Sequence, residues 1–307
     1  MCGLSFYYSK DTAKDVELSD SLRSISHRGP DFSDSYSAKL KNAYVGLGHN
    51  RLSIIDLSSK GSQPMTKGHL SIIFNGEIYN YKSIKNELVN KGHIFETETD
   101  TELILAAFIE YGTGSFKLFS GMFAFIILDE ITKKAYLVRD TVGIKPLYIF
   151  QGKESIYASS EIKGLKAFPE VDQSISNQDI FEFFNKGFLY EPNTGFQHIK
   201  KLLPGNYMEV NLLNGNTSIS EFRYLINPNN VLSLKESIAN AVKLQRQADV
   251  PVGVFFSGGA DSTILAYFAS DTKLLFAGYD KDPVSDLDRK YAAAISNQLN
   301  AKLNTVA

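Results

Sequence analysis

The chain has 307 residues, 43% of them hydrophobic and 21% charged, with a net charge of −2 and a pI near 6.2. That balance suits a globular protein of two domains and provides no basic surface for nucleic acid or an anionic membrane. The longest apolar run, residues 122–128, is far too short to span a bilayer. A single cysteine excludes an intrachain disulfide framework, and no signal segment is visible, so a cytoplasmic protein is expected.

The cysteine is Cys2, in the opening stretch Met1-Cys2-Gly3-Leu4. No apolar signal segment precedes it, as a lipoprotein would need, and the glycine that myristoylation requires directly after methionine stands one place late. On local grounds it reads as a small buried hydrophobe. Residues 71–74 form a short apolar strand running into the turn dipeptide Asn75-Gly76. Thr99-Asp100-Thr101-Glu102 has capping-box spacing, and Leu103, Ala106, Ala107 and Tyr111 follow at helical intervals before Gly112. Residues 122–128 and 135–138 predict one hairpin, and residues 147–150 and 156–158 a second. Strands joined by tight turns with a few helices between predict an α+β domain of layered antiparallel sheets covered by helices. His27, His49, His69, His93 and His198 lack the short spacing of a zinc site and read as local hydrogen-bonding residues.

After Pro204-Gly205 the composition turns to Asn, Gly and Ser, predicting one more hairpin before a linker. The expected boundaries are residues 2–214 for the first domain, 215–232 for the linker and 233–307 for the second domain. Ser233-Leu234-Lys235-Glu236 is a capping box that opens a helix. Strands at 252–256, 274–277 and 303–306 alternate with helices at 262–270 and 286–299, the pattern of a doubly wound parallel sheet. The first of these strands runs into Ser257-Gly258-Gly259-Ala260-Asp261-Ser262. It reads either as a plain strand-to-helix turn or as a phosphate cradle of converging amides at a helix N-terminus. Its place after the first strand of an α/β unit favours the cradle, although neither a Walker nor a dinucleotide motif is present.

That loop resembles the SGGxDS pyrophosphate loop of ATP-pyrophosphatase-type adenylating enzymes, with Ala260 where a larger aliphatic residue is common. Ahead of it stand six blocks in order: His27-Arg28-Gly29-Pro30-Asp31, His49-Asn50-Arg51-Leu52-Ser53-Ile54 and Asn75-Gly76-Glu77-Ile78-Tyr79-Asn80, then Thr99-Asp100-Thr101-Glu102, Gly121-Met122-Phe123-Ala124-Phe125, and Arg139-Asp140 with Gly143-Ile144-Lys145-Pro146-Leu147-Tyr148. Together they resemble the class II glutamine amidotransferases with an N-terminal nucleophile, and with the loop they are similar to glutamine-hydrolysing asparagine synthetases.

The resemblance implies an N-terminal nucleophile hydrolase fold, with removal of Met1 and with Cys2 attacking the glutamine side-chain amide. The freed α-amine would serve as the thiol's own base, which requires no catalytic histidine. It implies an oxyanion hole from the Asn75 side chain and the Gly76 amide, Arg51 on the glutamine carboxylate and Asp100 on its ammonium. Leu52, Ser53, Ile54, Ile55 and Glu77 complete the glutamine pocket, and His27–Asp31 is a supporting turn. In isolation Arg51 reads as a surface ion pair and Asp100 as a helix cap. In the second domain Ser257, Gly258, Gly259, Asp261 and Ser262 would hold the ATP phosphates, with Phe255 and Ala277 near the adenosine. Asp261 would also serve a Mg2+ ion bound with pyrophosphate. The expected substrates are glutamine, ATP and a carboxylate acceptor, aspartate in the asparagine synthetases, with ammonia passing between the sites; the family also allows a homodimer. Two other expectations are a relative that amidates another carboxylate, such as a sugar acid, and a glutaminase-only or idle binding fragment. The second domain is expected to be the incomplete start of a longer synthetase domain.

Overall fold

The computed structural model describes residues 1–224, 232–278 and 283–306, and the chain divides into two compact units, Met1–Ile226 and Asn227–Ala307. The first unit begins with β1 (Gly3–Ser9), α1 (Asp15–Ser24), β2 (Phe32–Lys39), β3 (Tyr44–Arg51), β4 (Met65–Lys67), β5 (Leu70–Ile78), α2 (Tyr81–Asn90) and α3 (Asp100–Tyr111). It continues with β6 (Gly121–Asp129), β7 (Lys134–Arg139), β8 (Tyr148–Gln151), β9 (Ser155–Ser159), α4 (Ile162–Leu165), α5 (Asn177–Lys186), β10 (Ile199–Lys201), β11 (Asn206–Asn211) and β12 (Thr217–Glu221). Two six-stranded antiparallel sheets result, in the orders β10-β8-β9-β1-β3-β2 and β12-β11-β7-β6-β5-β4.

The sheets pack face to face, with Leu4, Phe6 and Leu47 of the first against Ile73, Ile126 and Leu137 of the second. The outer face of the second sheet carries Phe74, Phe125 and Ile127 against Leu88 of α2 and Leu103 and Ala107 of α3. Tyr7 and Tyr157 of the first sheet pack outward against Leu18 of α1 and Leu165 of α4. The architecture is therefore helix–sheet–sheet–helix. Covering both faces explains why residues 122–128 are continuously apolar: Ala124, Ile126 and Leu128 face the other sheet while Phe123, Phe125 and Ile127 face helices. Each Phe, Ile or Leu among them, when fully buried, contributes roughly 1.5–3 kcal/mol.

The hairpins β6–β7 and β8–β9 form as expected. Three local expectations are corrected. Asn75-Gly76 is not a turn: β5 runs straight through it, pairing Asn75 with Ala124 and Gly76 with Phe123. Thr99 does cap α3 by accepting from the Glu102 amide, but the Glu102 carboxylate bonds Lys67, Thr97 and the Glu96 amide instead of closing a capping box. The segment 215–232 carries β12, which pairs with β11 in the first unit, and residues 225–231 of it lie outside the described residues.

In the second unit the Ser233–Glu236 capping box is complete and opens α6 (Leu234–Gln245). The strands β13 (Gly253–Phe255), β14 (Lys273–Ala277) and β15 (Leu303–Val306) are parallel and follow one another across the sheet, connected by α7 (Ala260–Phe268) and α8 (Pro283–Gln298). Among the described residues no helix is long and apolar enough to cross a membrane.

Candidate functional site

The register of β1 on β3 pairs Gly3 with Asn50, which sets Cys2 beside Arg51 at the end of the neighbouring strand. The Cys2 thiol accepts from the Leu52 amide at 3.4 Å and donates toward the Leu52 carbonyl at 3.7 Å. Burial pushes the thiol's pKa up, against the pull of the Leu52 amide, and burial likewise lowers the terminal amine of Met1. A thiol of this kind is protonated at neutral pH and needs a base to become a nucleophile.

Cys2 opens onto a cavity of about 100 Å³ whose wall includes Arg51, Leu52, Ile54, Ile55, Asn75, Gly76, Glu77 and Asp100. Ser53 is not part of that wall; its amide turns outward to the Asp31 carboxylate at 2.7 Å. Arg51, 6% exposed, donates from its two terminal nitrogens to the carbonyls of Ser58 and Asp56, and each nitrogen retains a second N–H. Its guanidinium lies over Gly61, where any Cβ would collide with it.

Asn75 is wholly buried, and its side-chain Nδ2 has no hydrogen-bond partner among the described residues. Such a donor, next to a thiol and lining a cavity, is what a developing oxyanion requires. Gly76 follows because β6 lies close behind it: a Cβ there would run into the Met122 carbonyl and lie 2.7 Å from the Phe123 Cα. Asp100, at the N-terminus of α3, accepts from the Ile78 amide at 2.9 Å. Burial raises the pKa values of both Asp100 and Glu77, and the Asp100 charge adds to the rise at Glu77.

The block His27–Asp31 does not line this cavity but braces the backbone of residues around it. Arg28 donates from Nε to the Cys2 carbonyl at 2.9 Å and from a terminal nitrogen to Glu161 at 2.9 Å. Gly29 lies against the Asn50–Arg51 peptide, where a Cβ could not fit. His49, fully buried, donates from Nε2 to the Phe74 carbonyl at 3.0 Å, tying β3 to β5 across the sandwich, and burial drives its pKa down to about 3. Gly61, Gln63, Thr101, Met122 and Lys145 also line the cavity but carried no role in the sequence reading. Thr101, Met122 and Lys145 lay in quoted motifs without a role of their own, whereas Gly61 and Gln63 sit in a stretch without periodic or motif signal.

In the second unit, the loop after β13 is held by a hydrogen bond between the Ser257 and Ser262 hydroxyls, 3.2 Å apart, and by the Gly259 amide on Ser257 Oγ at 3.4 Å. Gly258 has φ +80°, and a Cβ there would lie 2.7 Å from the Ala292 nitrogen of α8, so only glycine fits. Asp261 stands in the first turn of α7. Phe255, Ser257 and Ala277 line a separate cavity of about 250 Å³ at the C-terminal ends of β13 and β14, where open α/β sheets take ligands. Among the described residues no three His, Cys, Asp or Glu side chains gather as a metal site. A Mg2+ ion held by the lone Asp261 carboxylate and by phosphate oxygens fits the ion's usual habit.

Residues 1–223 match the glutamine amidotransferase domain family, and residues 233–306 match the asparagine synthase family. The chain belongs to the glutamine amidotransferase domain family. It is 34% identical over 314 residues to asparagine synthetase [glutamine-hydrolyzing] 1 of Bacillus subtilis (strain 168), covering 96% of this chain and 49% of the relative. It is 34% identical over 293 residues to putative asparagine synthetase [glutamine-hydrolyzing] 2 of Methanocaldococcus jannaschii, covering 86% of this chain and 56% of that one. The chain thus spans about half the length of the curated relatives it matches. Among solved structures, the allosteric regulatory enzyme of purine biosynthesis shares the fold at 13% identity, with a TM-score of 0.56 over 100% of this chain and 90% of that chain.

Proposed function

We propose that the first unit hydrolyses glutamine to glutamate and ammonia, and that the ammonia serves amide synthesis on an ATP-activated carboxylate, as the relatives' name asparagine synthetase suggests. The observation that carries the reading is the buried Asn75 Nδ2, which has no partner among the described residues and belongs to a side chain lining the same cavity as Cys2.

With Met1 removed, the α-amine of Cys2 takes the thiol proton, and the sulfur attacks the side-chain carbonyl carbon of glutamine. The carbonyl oxygen, now negative, receives the Asn75 Nδ2 and Gly76 N–H donors, each typically worth about 3–4 kcal/mol at this stage. The ammonium formed on Cys2 returns its proton to the departing nitrogen, and water then cleaves the thioester. Arg51 orients the substrate carboxylate and Asp100 its ammonium, so that the amide carbon meets the sulfur. In the second unit, Ser257, Gly258, Gly259 and Ser262 hold the β- and γ-phosphates of ATP, with adenosine against Phe255 and Ala277. Asp261 would hold a Mg2+ ion, which would supply charge neutralisation to the phosphates. The acceptor in this reading is aspartate, and the setting a cytoplasmic one.

The test is glutamate release by the purified chain, with loss of Met1 verified by intact mass. Cys2→Ala is expected to abolish release while circular dichroism and thermal unfolding stay as in the parent. Undiminished release from that variant, or none from the Met1-free parent, overturns the reading.

A further inference from the structure

Lys145 has no part in the chemistry proposed above, yet two buried charged residues, Asp140 and Arg139, fix the loop that carries it. The wholly buried Asp140 carboxylate accepts from the amides of Phe123, Val142, Gly143, Ile144 and Lys145 at 2.6–3.1 Å. Arg139, 2% exposed, donates to the Lys145, Gly143 and Leu202 carbonyls at 2.6–2.9 Å and pairs with Glu191. These two neighbours fix residues 142–145 and direct the Lys145 side chain into the cavity wall, where it is 4% exposed. There its Nζ donates to the Met1 thioether sulfur at 3.1 Å.

A thioether is a weak acceptor, whereas an ammonium carries three donors and a charge that is costly to bury without a counter-ion. Burial first, and then the cationic neighbour Arg28, favour loss of its proton, while Glu77, Cys2 and Asp140 favour keeping it. Asp140 is already committed to five amides, and Asp100 lies on the Ile78 amide. The Glu77 charge also reaches Tyr79, whose hydroxyl pKa rises by burial and then by that charge. Glu77 is therefore the acid of this cavity left to meet the ammonium.

We infer that, with Met1 gone, Lys145 becomes the counter-ion of Glu77, and that this division of charge keeps Asp100 as the carboxylate receiving glutamine's ammonium. Lys145 is then a positioning residue, and the inference rests on the cavity being the glutamine site. Two carboxylates in one buried pocket cannot both ionise easily, but one lysine and one substrate ammonium neutralise them in turn.

The experiment uses the Met1-free chain with Lys145→Met and Lys145→Arg, alone and with Glu77→Gln. Carboxyl 13C NMR titration follows Glu77, its signal assigned by disappearance in Glu77→Gln. Lys145→Met is expected to move the Glu77 midpoint upward by about one pH unit or more, and Lys145→Arg to leave it near the parent's. In glutaminase assays Lys145→Met should raise KM about tenfold with kcat changed less than about threefold, and move the acid limb of kcat/KM upward. In the Glu77→Gln background the shift of that limb by Lys145→Met should vanish. An unchanged Glu77 midpoint in Lys145→Met overturns the inference, as does a limb shift that survives Glu77→Gln. The titration needs no turnover, so it decides the pairing even if the glutaminase reading fails on Cys2→Ala.

Discussion

The sharpest consequence of the cavity is what Asn75→Ala should do. Because Nδ2 of this wholly buried side chain has no partner among the described residues, its removal breaks no protein hydrogen bond made by that atom. It even relieves a buried unsatisfied donor, an arrangement that typically costs about 1–3 kcal/mol. The relief offsets the lost packing of a short side chain, so unfolding stability should stay within about 1 kcal/mol of the parent. Turnover should behave differently. The donor is used only when the glutamine carbonyl becomes an oxyanion, and losing it should raise the barrier by about 2.7–4 kcal/mol, a hundred- to thousandfold in kcat. KM should change little, since the ground-state amide does not depend on this contact, and the Gly76 amide should leave residual activity. The assay pairs steady-state glutamate release with urea unfolding of the same preparations. A kcat within about threefold of the parent, or a loss matched by a stability drop above about 3 kcal/mol, would show that Asn75 is a packing residue.

Two further tests concern the groups around that donor. His49 has a folded pKa of about 3, against about 6.5 in an unfolded chain, so only the unfolded chain binds its proton between those values and stability falls as pH drops through that window. Between pH 7 and 5 this should remove about 2 kcal/mol in urea unfolding, and His49→Gln should flatten the decline by a similar amount; equal slopes refute the assignment. Gly61→Ala should displace the flexible end of Arg51 rather than backbone, since the Cβ would collide with the guanidinium. Thermal stability should change little while KM for glutamine rises about tenfold or more at nearly constant kcat, and an unaltered KM would disconnect Arg51 from the substrate carboxylate.

What could be read before folding was the layered class, both hairpins and the strand–helix alternation of the second unit, because periodicity and turn chemistry are local properties. Cys2, Arg51, Asn75 and Asp100 do come together around one cavity, but their neighbourhood comes from register: Gly3 opposite Asn50 and Asn75 opposite Ala124. The dipeptide Asn75-Gly76 shows how a local rule misleads. Glycine there suggests a turn, whereas in β5 it is required because the backbone of β6 leaves no room for a Cβ. Helix α5 escaped the sequence reading for a different reason. Its aromatic residues are not driven inward, Phe181 and Phe184 being 72% and 83% exposed, so their pattern marks no core. Lys145 illustrates the deeper limit. Its place depends on Asp140 gathering five amides and on Arg139 bridging to Leu202 and Glu191, contacts spread over some eighty residues of chain. A lysine in a motif announces a charge but not its burial, and it is burial that makes the choice of counter-ion consequential.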